Sequence, residues 1–123
     1  MPKPGGGGSE PAWPRRGEVW MVNFNPTVGH EQAGRRPALV ISVNAFNQCA
    51  AQLAVVMPLT SQARGIRSHV EVPKGEAGLK VTSFIKSEDI RSVSTRRLSR
   101  RLGVVSGATL DAVEVRLRML LGL

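Results

Sequence analysis

Apolar residues recur at strand-like intervals along most of the chain, and at helical intervals only near its end. The runs 18–24 and 37–43 are rich in β-branched and aromatic residues and are bounded by Gly, Pro and Asn, as strands usually are. The run 52–59 is almost continuously apolar, which predicts a strand that is buried on both faces and ended by Pro58. Shorter strands are predicted at 68–72, 79–86 and 89–93.

The C-terminal segment carries the helical pattern. Ser106 is a suitable N-cap and Gly122 can end the helix. The residues 44–50 are too short and too polar for more than one helical turn. Many short strands and one terminal amphipathic helix predict a mainly β fold, a small and strongly bent antiparallel sheet or barrel closed on one side by the helix. The apolar positions that define the helix are Leu110, Val113, Leu117, Leu120 and Leu121.

Length and composition indicate one globular domain. The chain has 123 residues, of which 41% are hydrophobic and 21% are charged. Residues 1–14 are rich in Pro and Gly, so they are predicted to form a flexible tail ahead of a domain at 15–123. Trp13 is the exception in the tail, because its large apolar side chain can pack on the wall of the domain.

The charge balance predicts a polyanionic or acidic partner. Lys and Arg number 17 against 9 Asp and Glu, and 13 of the 17 are Arg, whose planar guanidinium binds phosphate through two hydrogen bonds. Cys49 is the only cysteine, so no intrachain disulfide is possible and a cytoplasmic location is expected. No apolar run approaches the roughly 20 residues of a membrane span, and no membrane association is predicted.

The connection between the first two predicted strands is the candidate site. Residues 25–37 are longer than a hairpin needs, and connections of that length are often functional. They contain Glu31, Gln32, Arg35 and Arg36. Pro37 restricts the preceding residue to extended geometry, so Arg36 is expected at the mouth of the second strand and Arg35 on the mobile side of the loop.

The sequence predicts neither a metal site nor a cofactor site. His30 and His69 lie far apart, and no Cys, His, Asp or Glu residues have metal-ligand spacing. The glycines of the tail precede no helix, which argues against a nucleotide-binding loop. Chemistry at this site is therefore expected to be metal-free and to rest on acids and bases.

Three segments together resemble the MazF/PemK family, the ribonuclease toxins of bacterial toxin–antitoxin pairs. The first is Gly17-Glu18-Val19-Trp20, the second Asn23-Phe24-Asn25-Pro26, and the third Gly29-x-Glu31-Gln32-x-Gly34-x-Arg36-Pro37. Agreement at several spaced positions is more specific than a single glycine motif. The similarity covers roughly residues 15 to 123.

The resemblance implies a fold, an activity and partners. Family members are SH3-like β-barrels with a C-terminal helix, they form homodimers, and a cognate antitoxin protein inhibits them. Their activity is sequence-selective, metal-independent cleavage of single-stranded RNA, chiefly mRNA. In RNA the 2′-hydroxyl is the nucleophile, so products with 2′,3′-cyclic phosphate and 5′-hydroxyl ends are expected.

Glu31, Arg36 and Thr60 are the predicted catalytic residues. From chemistry alone, Glu31 is the base and Arg36 stabilises the phosphate, because an ordinary arginine with a pKa above about 12 is a poor proton donor. The family pattern gives the matching arginine a central part, sometimes as acid or base, and the assignment stays open. Thr60 matches a family threonine that helps to hold the scissile phosphate, although a hydroxyl after a strand also suits a turn.

Further residues are expected to contact RNA through their match to family segments. Two positions depart from the family pattern: Asp89 stands where Gln is usual, and His30 stands where Ser is common. A histidine beside a carboxylate could titrate near neutrality, but a solvated side chain is the preferred interpretation. His69, on an alternating strand, is interpreted as structural. The predicted RNA-binding residues are Gln32, Arg35, Ser61, Gln62, Lys86 and Arg91.

The densest basic run, Arg96-Arg97-x-x-Arg100-Arg101, allows three interpretations: a contact to the RNA backbone, a contact to an acidic antitoxin tail, or a solvated face.

The alternative function is a non-catalytic barrel of the same fold, either a DNA gyrase poison or an RNA-binding module. The gyrase poisons lack the Glu31-to-Pro37 motif and end in Trp-Gly-Ile, whereas this chain ends in Leu121-Gly122-Leu123.

Overall fold

The computed structural model describes residues 13–26, 29 and 34–123. Single turns of 3-10 helix at Glu76–Gly78, Ser87–Asp89 and Thr95–Arg97 connect longer elements. The strands are β1 (Glu18–Asn23), β2 (Arg35–Val40), β3 (Leu53–Thr60), β4 (His69–Val72), β5 (Ser83–Lys86), β6 (Arg91–Ser94) and β7 (Leu98–Val104), and the helices are α1 (Asn44–Asn47) and α2 (Gly107–Leu121).

All strand pairs in the described part of the chain are antiparallel. The spatial order is β4-β5-β3-β2-β1-β7, and β6 pairs with the first half of β3. The sheet is strongly bent, but the described strands do not close into a complete barrel, since β4 and β7 lie at opposite ends of this order. The predicted mainly β fold with a C-terminal helix is confirmed.

The central strands are buried on both faces, as the continuous apolar run predicts. Leu39 and Met57 belong to a core cluster that also contains Val113 of α2. Ala38 and Val56, their neighbours along the strands, belong to a second cluster on the other face. Strand alternation therefore places consecutive apolar side chains in two separate cores.

The prediction that Pro58 ends the third strand is wrong. β3 runs through this residue to Thr60, and Pro58 pairs with Ala38 of β2. On its other edge β3 pairs with β6 up to Val56 and with β5 from Leu59 onward. Pro58 lies where the partner strand changes, and an interrupted ladder tolerates a residue without an N–H.

Three other strand assignments need correction. The predicted strand at 79–86 is shorter, because only Ser83–Lys86 forms β5. The predicted strand at 89–93 begins later, at Arg91, because Ser87–Asp89 form a 3-10 turn. The basic run that the sequence left unassigned is divided: Arg96 and Arg97 lie in a 3-10 turn, and Arg100 and Arg101 lie in β7, which pairs with β1 through two irregularities in register.

Helix α2 has the predicted ends. The Ser106 hydroxyl accepts a hydrogen bond from the N–H of Thr109 at 3.1 Å, and Gly122 ends the helix at a φ of 71°. Glu76 adds a carboxylate at this N-terminus, accepting from the Ser106 N–H at 3.0 Å and from the Thr109 hydroxyl at 2.6 Å. Burial alone would raise the pKa of Glu76, but these hydrogen bonds hold it below its ordinary value.

The residues before β1 pack on the folded body. Trp13 is half-buried and Pro14 is buried, and the Pro14 carbonyl accepts a hydrogen bond from the Asn47 amide at 3.0 Å. These two residues of the predicted tail are therefore part of the folded structure, while residues 1–12 lie outside the described part. Within the described residues, no helix is long and apolar enough to cross a membrane.

Candidate functional site

The β1–β2 connection is held together at its base. The Phe24 N–H donates to the Gly34 carbonyl at 2.9 Å, and the Gly34 N–H donates to the Asn25 side-chain oxygen at 3.0 Å. Gly34 has a φ of 77°, a conformation that favours glycine. The spacing of Asn25 and Gly34 thus has a structural consequence, because their hydrogen bond fixes the point from which β2 starts.

Strand β2 begins two residues earlier than predicted. Arg35 pairs with Asn23 and Arg36 pairs with Val22, so neither arginine lies on a mobile loop. The sequence-based reason for separating them is therefore wrong. Successive side chains of a strand point to opposite faces, and this alternation separates Arg35 from Arg36 instead.

Arg36 lies at a polar pocket of about 490 Å³ formed by three separate parts of the chain. β2 supplies Arg36, the end of β3 and the residues after it supply the second wall, and β5 with the turn behind it supplies the third. The pocket therefore brings together predicted site residues that are far apart in sequence. The residues that line it are Arg36, Thr60, Ser61, Gln62, Arg64, Ile66, His69, Lys86 and Glu88.

Thr60 makes the turn contact considered for it from the sequence, and its role toward a phosphate stays a prediction. Its hydroxyl oxygen accepts a hydrogen bond from the Gln62 N–H at 3.2 Å, which is the turn chemistry expected after a strand. A hydroxyl that accepts one bond can still donate its proton. Thr60 is therefore placed by its turn and can donate to an anion in the pocket.

The pocket is rich in cationic side chains. Arg36, Arg64 and Lys86 all line it, and the Arg64 guanidinium donates to the Gln62 side-chain oxygen at 2.6 Å. Asp89, the departure from the family pattern, lies 3.7 Å from the Lys86 ammonium and 3.7 Å from the Arg91 guanidinium. The negative charge of Asp89 thus lies between two cations, which reduce its repulsion of a polyanion.

Arg91 lines a second pocket, of about 360 Å³, next to β6. Its guanidinium carbon lies 4.4 Å from the centroid of the Phe24 ring, within the range of cation–π attraction. Phe24 itself is 2% exposed, so its ring is part of the core. Asp89 contacts both Lys86 and Arg91, so this carboxylate links the two pockets.

His69 and Glu88 form a polar network on the wall of the first pocket. His69 Nε2 lies 2.9 Å from one oxygen of Glu88, and the Ser68 hydroxyl donates to the other oxygen at 2.5 Å. Burial alone would raise the pKa of Glu88, but hydrogen bonds from Ser68, from its own backbone and from His69 hold it below the ordinary value. Glu88 is therefore a carboxylate at neutral pH.

Two residues of the predicted site, Glu31 and Gln32, and the neighbouring His30 lie outside the described part of the chain. Their predicted roles stay predictions. Among the described residues, no group of three or more His, Cys, Asp or Glu side chains could hold a metal ion.

The basic run divides into structural and exposed members. The Arg97 guanidinium donates to the Asn23 carbonyl at 3.0 Å, and Arg101 Nε lies 2.8 Å from a carboxylate oxygen of Glu18. Glu18 is 3% exposed, so its partner has a structural role. Arg96 and Arg100 are exposed, so these two are the main candidates in the run for a contact to a polyanion.

Sequence reasoning missed Glu88 and Arg64 as pocket residues and gave His69 only a structural role. The register of β4 and β5 explains the omission, because it sets His69 opposite Lys86, two residues before Glu88. Ser68 and His69 lie about twenty positions from their partner, and no local motif marks the pairing.

Comparison with known proteins gives consistent matches. A family model described as "PemK-like, MazF-like toxin of type II toxin-antitoxin system" matches residues 15–121. Endoribonuclease MazF9 of Mycobacterium tuberculosis is 37% identical over 114 residues, covering 89% of this chain and 97% of that protein.

Solved structures agree with the sequence matches. The crystal structure of MazF from Deinococcus radiodurans superposes with a TM-score of 0.81 at 35% identity, covering 90% of this chain and 98% of the other. An endoribonuclease in complex with its cognate antitoxin, from a mycobacterial species, superposes with a TM-score of 0.74 at 26% identity, covering 89% and 96%.

Proposed function

Because the chain belongs to the family of PemK-like, MazF-like toxins of type II toxin–antitoxin systems, we propose that it is an endoribonuclease that cleaves single-stranded RNA by attack of the 2′-hydroxyl, without a metal ion. The observation that carries this proposal is the pocket shared by Arg36 and Thr60. It supports the proposal because a guanidinium and a hydroxyl donor line the same pocket, and both kinds of group donate to phosphate oxygens.

The reaction can be written with named groups. Glu31 takes the proton of the 2′-hydroxyl, the 2′ oxygen attacks phosphorus, and the bond from phosphorus to the 5′ oxygen breaks. The 5′ oxygen takes a proton from solvent water and Glu31 returns its proton to solvent, so the protons balance and the products are a 2′,3′-cyclic phosphate and a 5′-hydroxyl. Arg36 and Thr60 donate to the phosphate oxygens, where negative charge develops.

The cationic lining explains how charge is stabilised without a metal ion. Arg36, Arg64 and Lys86 supply three positive charges around one pocket. Preorganised cations of this kind stabilise a developing negative charge without moving during the reaction. The other residues proposed to contact the RNA, outside the cleaved phosphate, are Gln32, Arg35, Ser61, Gln62 and Arg91.

Cleavage is expected to persist in excess chelator. Purified protein and a single-stranded RNA are incubated with EDTA, and the ends of the products are identified by mass spectrometry. We expect 2′,3′-cyclic phosphate and 5′-hydroxyl ends at a rate equal to that with added magnesium. A strict requirement for a divalent ion, or 5′-phosphate ends, would overturn the mechanism. Binding of RNA without cleavage in either condition would favour an RNA-binding module.

Binding to single-stranded RNA is expected to weaken steeply with salt, because the formal charge is +8 and phosphate contacts release counterions. Arg100→Ala should lower the slope of log affinity against log salt by about 0.7 if this side chain contacts one phosphate. Fluorescence anisotropy at several salt concentrations measures the slope. Arg118→Ala, an exposed arginine on α2, is the matched control. An unchanged slope for Arg100→Ala assigns the basic run to a protein contact or to solvent.

We further propose an antitoxin partner, a homodimer and a cytoplasmic location. The relative solved in complex with its cognate antitoxin supports the first. The end of α2 supports a protein contact, because it carries large apolar side chains that are about half exposed or more. These side chains are Met119, Leu120, Leu121 and Leu123.

A homodimer is expected at micromolar concentration. Light scattering after size exclusion should give a mass near twice the 13.2 kDa of one chain. Burying the apolar end of α2 favours association. A monomer that retains full cleavage activity at this concentration would contradict the proposal.

A further inference from the structure

We propose that Glu88 reads a base of the bound RNA: its carboxylate accepts a hydrogen bond from an amino group of one nucleotide and so contributes to sequence selectivity. This inference deepens the proposed function and rests on RNA binding at the pocket, but it does not depend on the cleavage chemistry.

The carboxylate of Glu88 is held in one position. Ser68 donates to one oxygen at 2.5 Å, and His69 Nε2 lies 2.9 Å from the other. The side chain of His69 is only 4% exposed, so it is a rigid support. A group fixed in this way can discriminate between ligands, because little conformational freedom is lost on binding.

The surroundings of Glu88 define what it can bind. Among the described residues that line the pocket, it is the one acidic side chain, beside Arg36, Arg64 and Lys86. Phosphate groups are attracted to the three cations and repelled by the carboxylate. The group that approaches Glu88 must therefore be a hydrogen-bond donor. The three cations are expected to bind the phosphate backbone of the RNA.

RNA offers such donors on its bases. Cytosine N4, adenine N6 and guanine N2 carry amino protons, and a carboxylate commonly accepts from cytosine N4. In single-stranded RNA these base edges are accessible to side chains. Uracil has no amino group, and its ring N–H at N3 lies between two carbonyl oxygens that a carboxylate repels, so uracil is expected to be disfavoured next to Glu88.

The ionisation state of Glu88 agrees with this role. Its hydrogen bonds hold the pKa below the ordinary value, against the effect of burial. The side chain is therefore an acceptor only at neutral pH. About four acceptor positions exist on a carboxylate, so those used by Ser68 and His69 leave capacity for a base.

Selection from a random RNA pool tests the inference. Every 2′-hydroxyl in the pool is replaced by fluorine, so the strand can bind but has no internal nucleophile. Wild type, Glu88→Gln and Asp111→Asn each select bound strands, which are then sequenced. Asp111 is exposed on α2, outside the pocket, and its substitution changes the charge by the same amount. Thermal melts confirm that each variant is folded.

The wild type is expected to prefer an amino-bearing base over uracil at one position. Glu88→Gln should reduce this preference by about fivefold or more, which is the lower range for a good side-chain contact to a base. Asp111→Asn should keep the wild-type preference. Ser68→Ala, which retains the carboxylate but removes one support, should give a smaller loss at the same position. Equal preferences in the wild type and Glu88→Gln overturn the inference, as does a wild type without any preference against uracil.

A parallel cleavage assay with ordinary RNA separates this inference from the proposed function. If Glu88→Gln loses base preference in binding while no protein cleaves RNA, the inference stands and the proposed function fails. If Glu88→Gln abolishes cleavage of every RNA but keeps the wild-type preference in binding, Glu88 acts in catalysis and the inference is wrong.

Discussion

Replacing Arg36 with Ala should reduce RNA cleavage by about 10² to 10³-fold while the protein stays folded. The side chain is exposed at the pocket that also contains Thr60, so its loss leaves no cavity in the core. In the proposed mechanism the guanidinium donates to phosphate oxygens whose charge increases during the reaction, so the loss should fall on the rate. Arg36→Lys should not restore the rate, because an ammonium cannot form the two parallel bonds of a guanidinium.

Arg35→Ala is the matched control, since it removes the same charge from the neighbouring position of the same strand. Its side chain lies on the opposite face, so we expect a much smaller loss. Single-turnover cleavage of one oligonucleotide compares the wild type with the three variants, and thermal melts confirm folding. Equal losses for Arg35→Ala and Arg36→Ala would show that this part of β2 acts only through diffuse positive charge. Near-normal cleavage by Arg36→Ala would remove the residue from the site.

The hydrophobic pattern predicted the central part of the fold well. Strands β1, β2 and β3 lie within the apolar runs of the sequence, and burial on both faces follows from two cores on opposite sides of the sheet. Helix α2 was predictable because its cap residues are local signals. Ser106 and Gly122 act through bonds and dihedral angles within the helix itself.

Strand β7 could not be predicted because it is stabilised by pairing with a distant strand, β1, and not by a local sequence pattern. Its exposed arginines give no regular alternation, and it pairs with β1 through irregular register. The need for glycine at position 103 is visible only in the tertiary structure. A Cβ at this position would lie 2.6 Å from the backbone carbon of Ala77, so a residue without a side chain lets the Glu76–Gly78 turn pack on β7.

The candidate site was predictable in part. The motif pointed to Arg36 and Thr60, which the fold brings to one pocket although 24 positions separate them. The reason given for distinguishing Arg36 from Arg35 was wrong, because Pro37 does not begin the strand. Glu88 and His69 were missed as pocket residues since the pairing of β4 with β5 creates their contact.

The second large effect is expected from the substrate: removing the attacking 2′-hydroxyl should abolish cleavage at that bond. RNA with a single 2′-deoxy nucleotide on the 5′ side of the cleaved bond lacks the nucleophile that the mechanism requires. In the proposed mechanism Arg36 and Thr60 contact the phosphate and neither attacks it, so no side chain replaces the missing nucleophile. We therefore expect cleavage at that bond to fall below detection, while binding of the strand stays within a few-fold of normal.

The most direct test of this account is the single-turnover rate at one bond in two matched oligonucleotides that differ only in that 2′-hydroxyl, measured in excess EDTA. The account predicts rapid cleavage of the all-ribose strand and none of the substituted strand at the substituted bond. Other susceptible bonds in the substituted strand should be cut at their normal rate, which shows that the enzyme is active. Cleavage of both strands at equal rates would contradict the account, because the attacking group would then be water or a side chain.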